Sequence, residues 1–290
     1  MPSPATRLRS LLAAPDMVAA PGAYDAITAR LIEQAGFPAV YMTGAGTSAA
    51  RGFPDYGLLT LTEMAENAGI LARSIAVPLI ADADTGYGNE LNVTRTMREF
   101  ESRGVAAIHL EDQVSPKRCG HLDGKAVIPR DEFLSKIRAA VAARRDPDFV
   151  IIARTDARAV IGFDEAIARA KDSFDAGADM VFVEAVETQE EMAAVPKLVG
   201  GPCLLNIVPG GKTPVPSLAE AQELGYRLAI LPGLLLREII LAADTGLRCL
   251  RETGIPPAPP AGATVMSTFR RFGADDWDRL RRSYADEAKP

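Results

Sequence analysis

Lys117-Arg118-Cys119-Gly120-His121 sets a thiol among two cations and an imidazole. Such neighbours lower a thiol's pKa, which suits it to proton transfer or to nucleophilic attack. Gly120 and Gly124 suggest a loop that can close over a small ligand. A merely solvated basic loop would have no reason to hold a cysteine. Zinc is disfavoured, because no further Cys/His pair stands at ligand spacing. Upstream, His109 and Glu111 are two residues apart, as are Asp82 and Asp84. On a strand each pair points to one face. Crowded carboxylates repel, and a divalent cation relieves that. Oxygen donors without Cys or His suit Mg²⁺ or Mn²⁺. Glu111 can join Asp82 and Asp84 around one ion; the other reading of the two aspartates is a pair of helix caps.

Weaker signals lie at other apolar-run ends. Gly44, Gly46 and Ala49 match the spacing of a dinucleotide fingerprint. The acidic residue that should end the next strand is missing, since Glu63 and Glu66 fall in a helical pattern. A backbone nest for a carboxylate or phosphate, or a plain tight turn, remains. Arg154 can clamp a carboxylate with two parallel hydrogen bonds. Glu184 and Asn206 are polar residues after apolar runs, and either can simply cap a helix. Cys203 and Cys249 read as packing residues.

These residues need a frame. Short apolar runs occur at 17–20, 39–43, 78–81, 106–110, 149–153, 180–184, 203–207 and 228–231. Amphipathic stretches lie between them at 25–34, 62–73, 93–102, 131–143 and 163–176. Strands alternating with helices imply βαβ units and a parallel sheet. Gly36, Gly104, Gly177 and Gly225 each end a helix just before a strand. Eight strands fit an α/β barrel of the (β/α)8 TIM type; an open doubly wound sheet is the alternative. The barrel is expected over residues 1–254. Its long helix at 234–251 precedes a Pro-rich stretch at 255–263. A tail beyond carries Phe269, Phe272, Trp277, Leu280 and Tyr284 at roughly helical spacing. That tail must pack on its own barrel or on a partner subunit.

The chain has 290 residues, 48% of them hydrophobic, enough for one large core. A net charge of -6 argues against a non-specific nucleic-acid or anionic-membrane binder. No apolar run reaches the roughly 18 residues of a membrane helix, and the N-terminus does not read as a secretory signal. Three cysteines are too few and too odd for a disulfide framework, which points to a reducing cytosol.

In order along the chain, TGAG, PDYG, ADADTGYG, HLEDQ, KRCGH and ARTDA resemble the isocitrate lyase/phosphoenolpyruvate mutase superfamily. The resemblance runs from about residue 20 to 285, and KRCGH after EDQ marks its carbon–carbon lyase branch. It implies the (β/α)8 barrel, in a homotetramer built as a dimer of helix-swapped dimers. It implies Mg²⁺ on Asp82 directly, with Asp84 and Glu111 through water. It implies a small carboxylic-acid substrate held by the Thr43-Gly44-Ala45-Gly46 segment and cleaved by a retro-aldol reaction. Cys119 would protonate the enolate carbon, and Arg154 would bind carboxylate. Tyr41, Asp55, His109, Glu184 and Asn206 would line the pocket, with Tyr41 and Glu111 among the catalytic groups. Lys117, Arg118 and His121, with Gly120, would tune the thiol and hold a second carboxylate.

Within the branch, methylisocitrate lyases carry polar residues after the strand-seven Asn. Here the segment is Asn206-Ile207-Val208-Pro209-Gly210-Gly211. It is closer to the 2,3-dimethylmalate lyases and the relatives of the petal death protein. Ile207 and Val208 would suit a methyl better than a carboxylate, since burying an unpaired carboxylate is costly. Oxaloacetate hydrolases carry a pocket Ser where Pro232 stands, so the resemblance favours a lyase acting on a substituted malate. 2-Methylisocitrate lyase, oxaloacetate hydrolase and a phosphorus–carbon mutase are the alternatives. A non-catalytic barrel is disfavoured, because every expected site position is filled.

Overall fold

A computed structural model describes residues 2–287, with side chains to 285. Its strands are β1 (Val18–Ala23), β2 (Val40–Met42), β3 (Leu79–Asp82), β4 (Ala107–Glu111), β5 (Val150–Thr155), β6 (Met180–Val183), β7 (Cys203–Asn206) and β8 (Leu228–Leu231). All pair in parallel and in sequence order, and the sheet closes on itself. The open-sheet alternative is excluded by the ladder between β1 and β8, from Val18 opposite Leu228 to Pro21 opposite Leu231. That closure depends on Gly22, where a Cβ would collide with the backbone of Pro232.

Parallel strands covered on both faces must be apolar almost throughout, and these are. Inward residues such as Ala20, Tyr41, Ile80, Ile152, Phe182 and Leu204 fill the barrel. A helix that the sequence reading did not anticipate, Pro4–Ala13, is capped by Ser3. Its Leu8 is fully buried in the same cluster, among strand-start residues Val18, Ala39, Ala106 and Val150. Two further clusters join the outward strand residues to the surrounding helices. Helix starts follow local chemistry: Asp25 and Thr60 both form capping boxes. Gly36, Gly104, Gly177 and Gly225 take φ of 87°, 80°, 97° and 101°, as helix-closing glycines should.

With Leu8 at the N-terminal end, the polar residues collect at the other. Asp82, Glu111 and Asn206 are the last residues of β3, β4 and β7. Thr43, Asp156, Glu184 and Pro232 follow β2, β5, β6 and β8 by one residue. This is the face on which such barrels do chemistry.

The chain divides into two compact units, Met1–Arg237 and Glu238–Pro290. The boundary falls earlier than the expected 254. The reason lies in the helix Leu234–Thr253, which buries none of its residues and so mostly belongs with the tail unit. That unit continues through 255–263 to the helices Val265–Arg270 and Ala274–Glu287. Ile240, Leu241, Leu247, Phe269, Trp277 and Tyr284 are all exposed on it. Among the described residues, no helix is long and apolar enough to cross a membrane.

Candidate active site

The carboxylates predicted for a cation lie at the ends of β3 and β4, where Asp82 is held by backbone N–H groups. Asp82 Oδ1 accepts the backbone N–H of Asp84 at 2.9 Å, and Asp82 Oδ2 accepts that of Gly44 at 3.2 Å. The second contact requires Gly44, because a Cβ there would strike the Asp82 carboxylate. The 44–49 segment is therefore neither a dinucleotide loop nor a plain turn. It is a short helix, Gly44–Ala49, capped by Thr43, whose first N–H faces the acidic group. Asp84 has φ of 47°, Tyr87 of 61° and Ala185 of 55°. Left-handed backbone at non-glycine residues is costly and clusters at functional sites; here it lies just beyond β3 and β6.

Burial works against ionising Asp82, but His109, Lys117 and Arg154 outweigh it and hold the carboxyl at about 2. Asp84 is pushed up to about 6, by burial first and by Asp82 and Asp55. Burial also drives Glu111 well above the usual carboxylate range. Both Glu111 carboxylate oxygens are buried without a hydrogen bond; Oε2 keeps an ion pair with Arg154 Nη1 at 3.2 Å. Burial holds His109 neutral, at about 4, with Nε2 2.8 Å from Tyr41 Oη. Among the described residues, no three His, Cys, Asp or Glu groups stand ready to ligate one ion together. A hard cation that keeps most of its water, as Mg²⁺ does, would need only one of these carboxylates directly. The unbonded Glu111 oxygens are what such a shell would satisfy.

The cysteine loop folds over this group. Lys117 Nζ donates to Asp55 Oδ1 and lies 3.1 Å from Asp84 Oδ1. It is thus spent on buried carboxylates and does not border the cavity, contrary to its expected role with a substrate carboxylate. Arg118 is also misplaced by the sequence reading. It is exposed, its guanidinium stacks over Tyr56 at 5.0 Å, and Nη1 donates to Asp123 O. Lys117 and Arg118 are consecutive residues on an extended loop, so their side chains part to opposite sides. The Cys119 thiol is a further correction: its pKa is raised. Burial pushes it up, and Asp55 adds to the effect. The flanking cations, engaged elsewhere, do not offset that. Cys203 is buried in β7 and held at about 12, as a packing residue would be.

A cavity of about 120 Å³ opens between these elements. On one side stand Tyr41, Thr43, Ala45, Asp55 and Asp82, all expected. Cys119, Gly120 and His121 form its roof, and Arg154, Glu184 and Asn206 its polar wall. Arg154 is oriented by Asp156, which accepts from Nε at 2.9 Å. Its Nη2 makes only long contacts, 3.3 Å to Asp156 Oδ1 and 3.8 Å to Glu184 Oε1. Asn206 Nδ2 donates to Glu184 Oε2 at 3.2 Å, leaving Oδ1 buried without a partner. Gly46, His109, Glu111 and Asp84 are buried behind the lining rather than in it.

The rest of the lining is largely apolar, with Phe182, Val208, Ile230 and Pro232, and the Arg154 guanidinium lies over the Phe182 ring at 5.1 Å. Of the two aliphatic residues after Asn206, only Val208 reaches the cavity; Ile207 belongs to the outer core. Phe182 and Ile230 escaped the sequence reading. Each lies two residues before an expected lining residue, Glu184 and Pro232, so the period of a strand was the available signal. A larger groove of about 600 Å³ beside Met192 and Val215 contains none of these groups.

Comparison with known proteins agrees with this arrangement. The family described as phosphoenolpyruvate phosphomutase matches residues 8–250. A 2,3-dimethylmalate lyase of Eubacterium barkeri is 51% identical over 229 residues, covering 79% of each chain. A 2-methylisocitrate lyase of Aeropyrum pernix is 45% identical over 251 residues, 87% of this chain and 81% of that one. A structure of oxaloacetate acetylhydrolase with 3,3-difluorooxalacetate superposes with a TM-score of 0.94 at 41% identity, covering 98% of this chain and 97% of that one. The chain belongs to the isocitrate lyase/phosphoenolpyruvate mutase superfamily.

Proposed function

We propose that this chain, a carbon–carbon lyase of the superfamily, cleaves 2,3-dimethylmalate or a close 2-alkylmalate to a 2-oxo acid and a carboxylate. The observation that carries the substrate class is the mixed lining of the cavity. Arg154, Glu184, Asn206 and His121 share a space of about 120 Å³ with Phe182, Val208, Ile230 and Pro232. Carboxylate and hydroxyl fit the first set, and alkyl groups fit the second. A third carboxylate, as in 2-methylisocitrate, would face apolar side chains at a desolvation cost. Pro232 offers no hydroxyl to bond a hydrated ketone, which disfavours oxaloacetate hydrolysis. The 51% identity to a 2,3-dimethylmalate lyase supports the same choice.

In this reading Arg154 Nη2 takes a substrate carboxylate. Tyr41 stays a phenol, because burial and the Asp82 charge hold it well above its usual range; it orients the group it faces. With the C2 hydroxyl proton lost, breaking the C2–C3 bond of 2,3-dimethylmalate yields pyruvate and the enolate of propionate, and the released hydroxyl proton replaces the one the thiol gives up. Cys119, kept protonated by burial, gives its proton to the enolate carbon. The cysteine roof excludes water while the carbanion exists. Asp82, with Asp84 and Glu111 behind water, would hold Mg²⁺ or Mn²⁺, whose contribution is Lewis-acid stabilisation of charge on a substrate oxygen.

We further propose assembly as a homotetramer of helix-swapped dimers, with the Pro-rich segment as linker and the tail packing on a partner subunit. The exposed Ile240, Leu241, Phe269 and Trp277 support it; light scattering at micromolar concentration tests it. Free thiols at Cys119, Cys203 and Cys249 fit a reducing cytosol.

The deciding experiment measures pyruvate release with Mg²⁺ from 2,3-dimethylmalate and 2-methylisocitrate, with acetate formation from oxaloacetate alongside. 2,3-Dimethylmalate should lead by about tenfold or more in kcat/KM. A preference for 2-methylisocitrate would overturn the substrate assignment, and fast acetate release would overturn the role given to Pro232.

A further inference from the structure

Lys125 lies at the far end of the cysteine loop, and the chemistry above does not use it. Its side chain is only 2% exposed and that of Asp156 is fully buried. Nζ donates to Asp156 Oδ1 at 2.9 Å and to the backbone carbonyl of Gly120. The other oxygen of the same carboxylate accepts Arg154 Nε, at 2.9 Å. One aspartate therefore ties a loop residue to the arginine of the polar wall.

Asp156 is itself fixed to the barrel. Its N–H donates to Asp112 Oδ1 at 2.8 Å. Asp112 Oδ2 also accepts Thr155 Oγ1 at 2.6 Å and Arg169 Nη1 at 3.0 Å. The loop has other anchors on the near side of the thiol. Gln113 brackets the backbone of Arg118, and the Cys119 N–H donates to Asp55 O. Beyond the thiol, His121 Nε2 lies 3.3 Å from Glu184 Oε1, and Lys125 is the tie that reaches Asp156 and, through it, Arg154. Gly120, whose carbonyl it holds, sits so close to Glu184 and Arg154 that a Cβ there would strike both. Burying an ammonium is costly unless it is paired, and mere cover over a cavity does not require it.

We propose that Lys125 is the latch of the cysteine loop, its bond to Asp156 coupling closure over Cys119 to the orientation of Arg154. It is a positioning residue and does not touch substrate. The inference rests on the roles given above to Cys119 and Arg154. Its test needs no substrate.

Iodoacetamide labelling of Cys119, resolved by peptide mass mapping, reports loop opening in the unliganded protein. Lys125→Met keeps the apolar stem and removes the charge. Labelling at Cys119 should rise about ten- to a hundredfold, the scale of one buried charge-assisted bond. Labelling at Cys203 and the thermal midpoint should barely change. Loss of a cation alone would disfavour the thiolate and slow labelling, so a rise reports opening. Lys125→Arg should return the rate toward wild type. Asp156→Asn should give a similar rise, and the double variant no more, because both remove one bond. In turnover, Lys125→Met should lower kcat while KM stays within about threefold. Unchanged labelling in Lys125→Met, or multiplying effects in the double variant, would overturn the latch. If wild type ignores 2,3-dimethylmalate while labelling behaves as stated, the substrate assignment fails and the latch stands.

Discussion

The backbone N–H of Lys212 donates to Nδ1 of His121 at 3.1 Å. A ring nitrogen that accepts a hydrogen bond carries no proton, so the imidazole proton sits on Nε2. That nitrogen lies 3.3 Å from Glu184 Oε1. A loop after β7 thereby sets the tautomer of a residue on the loop after β4, and aims it at the polar wall. His121→Phe keeps the ring and loses both contacts; it should lower kcat about a hundredfold without unfolding the protein. Lys212→Ala keeps the backbone N–H and removes only the pairing of Lys212 with Asp123, which is 91% exposed. Such a pair is screened and contributes little. Kinetics of Lys212→Ala should stay within about threefold of wild type, and a large loss there would refute the backbone argument.

Cys119 should behave as an acid rather than as a ready thiolate. Burial raises its pKa above the ordinary thiol value, so the neutral form persists through neutral pH. The sign follows: alkylation should accelerate only on the alkaline side of free cysteine, and turnover should fall as pH climbs through that raised value. Rates of iodoacetamide labelling from pH 6 to 10 measure the first. Cys119→Ser should cost about 10²–10⁴ in kcat with an unchanged circular dichroism spectrum. An alkylation midpoint below that of glutathione would contradict the environment described here.

The same thiol shows what the sequence could and could not convey. Residue types and spacing were enough to bring Asp82, Asp84, Glu111, Cys119 and Arg154 into one region, because a parallel barrel gathers strand ends on one face. The eight strands were legible because each is buried on both sides and reads as an apolar run. Side-chain direction on loops was not legible. Lys117 and Arg118 read alike as cations beside a thiol, yet one is buried against Asp55 and Asp84 and the other stacks on Tyr56. The thiol's raised pKa comes from its burial and from Asp55, which the flanking cations do not offset. Pro4–Ala13 was missed because a ten-residue helix with only Ala5 and Leu8 buried shows little periodicity. Ile207 was misjudged by one residue, which on a strand end is the difference between cavity and outer core.

Removal of divalent cations should be visible without any assay of turnover. Asp84 and Glu111 are held above their usual ranges, burial being the first cause in both. A bound cation favours their ionised forms and binds only the folded chain. Adding Mg²⁺ at about a hundred times its Kd to EDTA-dialysed protein should stabilise it by about 2.7 kcal/mol. The thermal midpoint should rise accordingly. Asp82→Asn should abolish most of that rise, since Asp82 is the residue proposed to bind directly. Equal Mg²⁺ stabilisation in wild type and Asp82→Asn would place the cation elsewhere.

The apolar wall makes a paired prediction about neighbouring residues. Val208 borders the cavity, whereas Ile207 is buried in the cluster between strands and helices. Val208→Ala removes two methyl groups facing an alkyl substrate. One methylene in a hydrophobic site is worth about 10- to 200-fold in kcat/KM, so the loss on 2,3-dimethylmalate should be tenfold or more. Stability should change little, because Val208 is only partly buried. Ile207→Val should do the reverse. It should cost about 0.5–1.5 kcal/mol of stability and leave kcat/KM within about threefold. Urea unfolding and steady-state kinetics on both variants separate the two effects. If Ile207→Val alters the ratio of 2,3-dimethylmalate to 2-methylisocitrate turnover as much as Val208→Ala does, the selector is not the wall seen here.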